Sequence, residues 1–197
     1  MVLHYNNQWT QLTICLHRPS LFYNRYNLNA TYIIRGPGPV IYAANFFEPK
    51  DWLISNPKAE CTTCAYGGTF PCTEVTYKPL VKERCGGFDS KKQVLVDRAW
   101  VSKELDLIST FSTENNVPVW IDQWGLQAGA VGGDAVHDQY LNDILSEFEQ
   151  RRFHWSYWIW RRDNSWATDL YAIERQNANG TYELFQLALS HLGQYLG

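Results

Sequence analysis

The sequence predicts an α/β chain built on a parallel sheet, and three observations predict it. Three nearly uninterrupted apolar runs, 40–47, 117–123 and 154–160, read as strands covered on both faces. The segments that follow them carry apolar residues at helical spacing. Strand then alternates with helix three times, the repeat that lays strands side by side in parallel. A barrel and an open doubly wound sheet both satisfy this repeat. No Gly-rich phosphate loop follows any of the strands, which weighs against a nucleotide-binding sheet.

The elements follow in chain order. Residues 1–35 form a poorly defined N-terminal segment, rich in Asn and Tyr, with no sustained period. Within it, Gln11 to Leu16 suggests a short strand and Leu21 to Ile34 a helix. From residue 36 to 197 the pattern is clearer. Gly36-Pro-Gly-Pro39 introduces the first apolar run and Pro49 stops it. A Cys-rich stretch, roughly 50–92, reads as a long loop inserted between strand and helix. Residues 97–115 read as a helix with Val101, Leu105, Ile108 and Phe111 on one stripe, ending at Asn115-Asn116. The strand Val117 to Gln123 comes next, then a loop closed by Gly132-Gly-Asp134, with Asp134 as the expected N-cap. The helix after it carries Val136, Tyr140, Ile144 and Phe148. The strand His154 to Trp160 leads through a polar loop to a last helix, Tyr182 to Tyr195.

Composition narrows the function. The 197 residues suffice for one well-cored domain but fall short of the about 250 that an eight-stranded β/α barrel typically needs. A net charge of −3 and a pI of about 5.9 give no basic field for nucleic acid or an anionic membrane. No run of about 18 apolar residues occurs, so no membrane-spanning helix is expected. The first residues lack the basic start and apolar core of a signal peptide, so any such signal would lie upstream.

Four of the five cysteines, Cys61, Cys64, Cys72 and Cys85, cluster in the long loop. Cys61-x-x-Cys64 has the spacing of half a zinc site, but the second half is not a clean pair. Two disulfides are the preferred reading, with Cys15 left over. The sequons at Asn29 and Asn179 agree with an extracellular or secretory setting. No spacing of His, Cys and Asp suggests a catalytic metal, and no cofactor is expected. Nine Trp, twelve Tyr and nine Phe suit sugar binding, because flat rings match the apolar faces of pyranoses; they suit a packed core as well.

Side chains at the C-terminal ends of strands carry the chemistry in β/α barrels. There the chain resembles the family 5 glycoside hydrolases, the cellulase group of retaining barrel enzymes. Val117-Pro-Val-Trp-Ile-Asp-Gln-Trp-Gly125 looks like the family's seventh strand, an apolar run ending in Glu-Phe-Gly or Glu-Trp-Gly. Trp155-Ser-Tyr-Trp-Ile-Trp-Arg161 looks like the eighth strand, with Trp158 matching the Trp beneath the cleaved sugar. Asn45-Phe-Phe-Glu-Pro49 looks like the sixth strand, where the family has His-x-Tyr before a Pro; the fifth strand is the alternative. The resemblance covers roughly residues 39–197 and implies the C-terminal part of a (β/α)8 barrel. It implies hydrolysis of O-glycosyl bonds in β-linked glucan or mannan, an oligosaccharide or polysaccharide partner, and no cofactor.

The same resemblance puts an amide where the chemistry needs a carboxylate. A retaining glycosidase uses two carboxyl groups about 5 Å apart, one as acid/base and one as nucleophile. The nucleophile position falls on Gln123, and an uncharged amide is a far poorer nucleophile. The family's Asn-Glu-Pro acid/base motif does not occur in these 197 residues. Alternation puts Asn45, Phe47 and Gln123 inward at the barrel mouth, beside Trp158 and Trp124 as candidate sugar contacts. Asp122 alternates to the opposite face, towards the helices, unless a bulge turns it inward. Glu48 reads as a loop residue beside Pro49, His137 as part of a solvated helix face, and His154 as a strand start at the barrel bottom. The expected function is a hydrolase relative with impaired or absent activity. The alternatives are a carbohydrate-binding pseudoenzyme or a truncated gene product.

Overall fold

The computed structural model describes residues 13–15, 40–49, 66–77, 80–85, 93–130, 132–161, 171–177 and 179–195. Along the chain run β1 (Thr13–Cys15), β2 (Val40–Phe46), β3 (Thr69–Tyr77), β4 (Leu80–Cys85), β5 (Gln93–Leu95) and α1 (Arg98–Asn115). Then come β6 (Val119–Trp124), α2 (Gly133–Arg151), β7 (His154–Tyr157), β8 (Glu174–Gln176), β9 (Tyr182–Leu184) and α3 (Gln186–Gly193). The central sheet has the order β1-β2-β6-β7 with every pairing parallel, and among the described residues it does not close into a barrel. The chain is therefore α/β with a parallel sheet, as its alternating pattern predicts.

One face of the sheet is covered by α1 and α2. Tyr42, Ala44 and Phe46 of β2 are buried there, as are Val119, Ile121 and Trp124 of β6. Edge-to-face rings lock the layers: Tyr42 meets Phe111 at 5.3 Å, and Phe148 meets Trp124 at 5.3 Å and Phe46 at 6.3 Å. The buried stripe of α1 is the predicted one, Val101, Leu105, Ile108 and Phe111. Its start is fixed by Asp97, whose carboxylate accepts the Trp100 N–H at 3.1 Å. Its end is the left-handed Asn116, with φ 50°.

A charged network centred on the buried Glu147 joins the two helices. Glu147 accepts from Arg98 at 2.8 Å and from Arg151, which also reaches the Ser102 hydroxyl at 2.8 Å and Asp106 at 2.7 Å. Burial would raise the Glu147 carboxyl, but the hydrogen bonds from Arg98, Ser102 and Arg151 outweigh it and hold the group below its ordinary value. Tyr66 donates to Asp143 at 2.9 Å, tying the turn before β3 to α2.

Four local expectations are corrected. The N-cap of α2 is Gly132, at φ 114°, where a Cβ would meet the Val136 side chain at 2.7 Å; Asp134 lies in the first turn, where its charge still favours the helix N-terminus. The Cys-rich stretch is in part strand: β3 pairs antiparallel with both β4 and β5, and Cys72 stands directly opposite Cys85. Thr, Val, Phe and Tyr supply the strand tendency there, which Pro71 and the cysteines mask in the sequence. The third apolar run stops as a strand at Tyr157, because the Ile159 and Trp160 carbonyls instead accept from the N–H groups of Ile173 and Glu174. The Trp158–Ile159 peptide is cis. The last helix begins at Gln186, since Tyr182–Leu184 pairs with β8 as an exposed hairpin and apolar helical spacing starts only at Phe185, Ala188 and Leu192. The predicted helix over 21–34, together with Asn29, Cys61 and Cys64, lies outside the described residues.

Candidate functional site

The site grows from an irregularity in β6. Against β2, Ala44 pairs with Ile121 but Asn45 pairs with Gln123, so Asp122 is an extra residue. Against β7, Ile121 pairs with Trp155 and Trp124 with Tyr157, so Asp122 and Gln123 together oppose Ser156. This is a β-bulge at the C-terminal end of a strand, a device that re-aims side chains. The carbonyl left over at Asp122 is taken by the Ser156 hydroxyl at 2.8 Å.

The bulge changes which residues share a face. Strict alternation would set Gln123 with Val119 and Ile121. Instead Val119, Ile121 and Trp124 all lie on the helix-covered face, and that part of the sequence reading is corrected. Alternation from Ile121 puts Asp122 on the open face, and the extra residue brings Gln123 to the same side. The expectation that Asp122 faces the helices is therefore corrected too. Asn45 does share the open face with Gln123, and its amide donates to the Gln123 carbonyl oxygen at 3.0 Å.

Electrostatics single out Asp122. Burial pushes its carboxyl up from 3.8 to about 6, against a lowering from the backbone N–H groups of Asp122 and Gln123 that bond to it. Its Oδ1 is buried with no hydrogen-bond partner among the described residues, and so is Asn45 Oδ1. Two unsatisfied acceptors thus sit on paired strand ends, a costly arrangement in a folded chain.

The loop after β6 is firmly held. A Cβ on Gly125 would meet the Trp158 carbonyl oxygen at 2.3 Å, so only glycine lets the chain pass there. Trp158 N–H in turn donates to the Trp124 carbonyl at 2.7 Å, fixing the half-buried Trp158 next to the bulge. The Leu126 N–H donates to the Tyr157 hydroxyl at 3.3 Å, and Tyr171 bonds Gln127. At the far end the His137 Nε2 lies 2.8 Å from the Ala130 carbonyl. His137 is buried, 2 % exposed, so its expected place on a solvated face is corrected: it anchors the loop.

The other candidates divide. Phe47 packs edge-on to Tyr171 at 5.5 Å on the open side. Trp124 is fully buried among Phe148, Trp155 and Tyr157 and touches no surface, so its expected role as a sugar contact is corrected. Trp160 is 55 % exposed, the opposite case. Glu48 is buried, and its carbonyl accepts from the Tyr140 hydroxyl at 3.0 Å, which makes it part of the packed strand end. His154 is exposed at the N-terminal start of β7, away from the bulge. Asn179 lies in the exposed β8–β9 turn, its side-chain oxygen accepting from the Thr181 N–H at 3.0 Å. Among the described residues no group of His, Cys, Asp and Glu is arranged to hold a metal ion, and no helix is long and apolar enough to cross a membrane. Ser156 is the residue that spacing alone missed, and the bulge, offered in the sequence only as an exception for Asp122, leaves no trace in hydrophobic periodicity.

No protein-family model matches the chain, and no curated protein matches it. Solved structures do. An endoglucanase aligns with a TM-score of 0.54 and 12% identity over 87% of this chain and 45% of its own. The cellulose synthase subunit Z of Clostridioides difficile aligns at 0.52 and 15% identity, over 86% of this chain and 46% of its own. Cel5A of Thermotoga maritima, in complex with cellobiose, aligns at 0.53 and 13% identity over 86% and 44%. The likeness is one of fold. The chain spans less than half the length of these structures, so its sheet and helices correspond to part of a glucanase-type β/α barrel.

Proposed function

We propose that this chain is a glycoside hydrolase-like barrel segment that binds β-linked oligosaccharide at the C-terminal end of its sheet without ordinary retaining catalysis. The observation that carries the reading is the Asn45–Gln123 amide pair, 3.0 Å apart on adjacent parallel strands, where a glycosidase requires a carboxylate. An amide pair hydrogen-bonds sugar hydroxyls but neither attacks an anomeric carbon nor stabilises its developing positive charge. Trp158, half-buried and next to the bulge, supplies the flat apolar surface for a pyranose ring. Since β2 pairs directly with β6, reading β6 as the family's seventh strand makes β2 its sixth. The complexes of Thermotoga maritima Cel5A with cellobiose and mannotriose support glucan or mannan as the ligand class.

An extracellular or secretory setting belongs to the same proposal. The exposed sequon at Asn179 supports it.

The test is titration calorimetry with cellohexaose and mannohexaose, alongside a reducing-sugar assay on β-glucan and mannan. Binding in the micromolar range, lost in Trp158→Ala, with no release of reducing ends is the expected result. Absence of binding to both sugars overturns the reading, and so does turnover by the unmodified chain.

A further inference from the structure

We propose that Trp160 is a second sugar-stacking surface, so that an oligosaccharide held at Trp158 runs on across it and longer chains bind more tightly. The inference rests on the oligosaccharide-binding reading above and adds a determinant of ligand length. Trp160 is 55 % exposed, and it stands two residues beyond Trp158 on the segment that leaves the end of β7. Two residues span at most about 7 Å, so the two rings start from neighbouring points of one segment.

Exposure alone would mean little, since single apolar side chains are common on protein surfaces. Trp160 differs because it is clamped. Its carbonyl accepts the Glu174 N–H at 2.7 Å. Its side chain hydrogen-bonds the Glu174 carboxylate, and the indole N–H is the only group there that can donate. Glu174 is itself held by the Arg161 guanidinium and by its place in β8, paired with β9. The polar edge of the indole is therefore tied down while more than half of the residue's surface stays open to solvent. A ring fixed in this way loses little rotamer freedom when a ligand covers it, which favours stacking.

The chemistry around the ring selects the occupant. Arg161 is bonded to Glu174, and Arg175 is the register partner of Glu183 in the hairpin, so opposite charges balance and leave no net field to draw an ion. Arg161 also lies over the ring of Tyr182, 5.0 Å from its centroid. Flat apolar faces beside neutralised donors and acceptors suit a neutral pyranose, whose C–H face stacks while its hydroxyls bond sideways. A protein partner needs roughly 800 Å² and about 20–30 residues on each side. The exposed large apolar side chains at this end are Trp160, Tyr182 and Leu184, enough for a stacked sugar and short of a protein interface.

Cellotriose and cellohexaose, with the matching mannose chains, are titrated calorimetrically into the unmodified chain and into Trp160→Ala and Trp160→Phe. In the unmodified chain the hexaose of the sugar that binds should bind about tenfold more tightly than its triose. Trp160→Ala should remove that gain and leave the triose within about twofold, and Trp160→Phe should restore most of it through its ring. Thermal unfolding of Trp160→Ala should match the parent, because the ring is largely exposed. Equal affinity for the two lengths in the unmodified chain, or a length dependence that survives in Trp160→Ala, overturns this inference and leaves oligosaccharide binding at Trp158 intact. So does sedimentation in which Trp160→Ala abolishes self-association with sugar affinity unchanged, which would make this face a contact between copies. Absence of binding to either length of either sugar overturns both.

Discussion

Asp122→Asn should make the protein more stable near neutral pH and leave it nearly unchanged in acid. The carboxyl is displaced from 3.8 to about 6 by burial, so the folded chain holds its proton more tightly than the unfolded chain. Between those two values the folded state binds more protons, and stability falls as pH rises. Above about pH 6 the whole penalty is present; below about pH 4 it is absent. At about 1.4 kcal/mol per tenfold change in acidity the displacement is worth about 3 kcal/mol. Water still reaches part of the group, which cuts the figure to roughly 1–2 kcal/mol. Asparagine keeps the shape without the charge. Urea unfolding of both proteins at about pH 4 and about pH 7.5 reads the effect, taken as the change in their difference so that constant packing effects cancel. The variant should gain roughly 1–2 kcal/mol relative to the parent on going to the higher pH. Parallel stability curves would refute the argument, because they would mean that the carboxyl is fully solvated. A relative loss at high pH would mean that a cation faces it.

The remaining predictions concern what holds the site in place. Gly125→Ala sets a methyl against the Trp158 carbonyl at 2.3 Å, backbone that cannot swing aside, and should cost about 2–4 kcal/mol by thermal or urea unfolding. Glu147→Gln leaves Arg98 and Arg151 without their shared charge at a carboxylate only 4% exposed, and should cost roughly 2–3 kcal/mol near neutral pH. Because Glu147 is held below its ordinary value, that cost should shrink as pH falls through its titration, the reverse of the Asp122 trend. Trp124→Ala should cost about 3–5 kcal/mol and Trp160→Ala within about 0.5 kcal/mol in the same assay, since one ring is fully buried and the other 55% exposed.

The parts of the fold legible in the sequence are those governed by periodicity. The α1 stripe, the run of β2 and the start of β6 follow from apolar spacing, because packing against one layer enforces it. The parts that were not legible follow from single residues overriding that period. The cap of α2 falls on Gly132 because its backbone, at φ 114°, suits glycine. The hairpin β8–β9 replaces the first turn of an expected helix because Tyr182 and Leu184 have no layer to pack on. In the site, the shared face of Asn45 and Gln123 was expected from alternation, whereas the register that pairs them follows from the bulge at Asp122, which alternation offers only as an exception. His137 was misread for a related reason: a polar residue on a helix reads as solvated until a loop carbonyl, here that of Ala130, folds over it.

The distribution of polarity along the open face argues that the strand ends are specialised. On β2 that face runs Ile41, Ala43, Asn45 from start to end, and on β6 it runs Trp120, then Asp122 and Gln123. Contact with water would favour polar residues anywhere along the face, including the starts of the strands. Apolar residues there and polar ones at the C-terminal ends are instead the gradient from a filled interior to a mouth. At that mouth the polar groups are not simply hydrated, since Asn45 Oδ1 and Asp122 Oδ1 are both shielded without a partner among the described residues. Solvation would have left such oxygens open, and packing alone would have replaced them with apolar atoms. Shielding closes these two oxygens to water, so the cost of leaving them unpaired is built into the bulge and its partner strand.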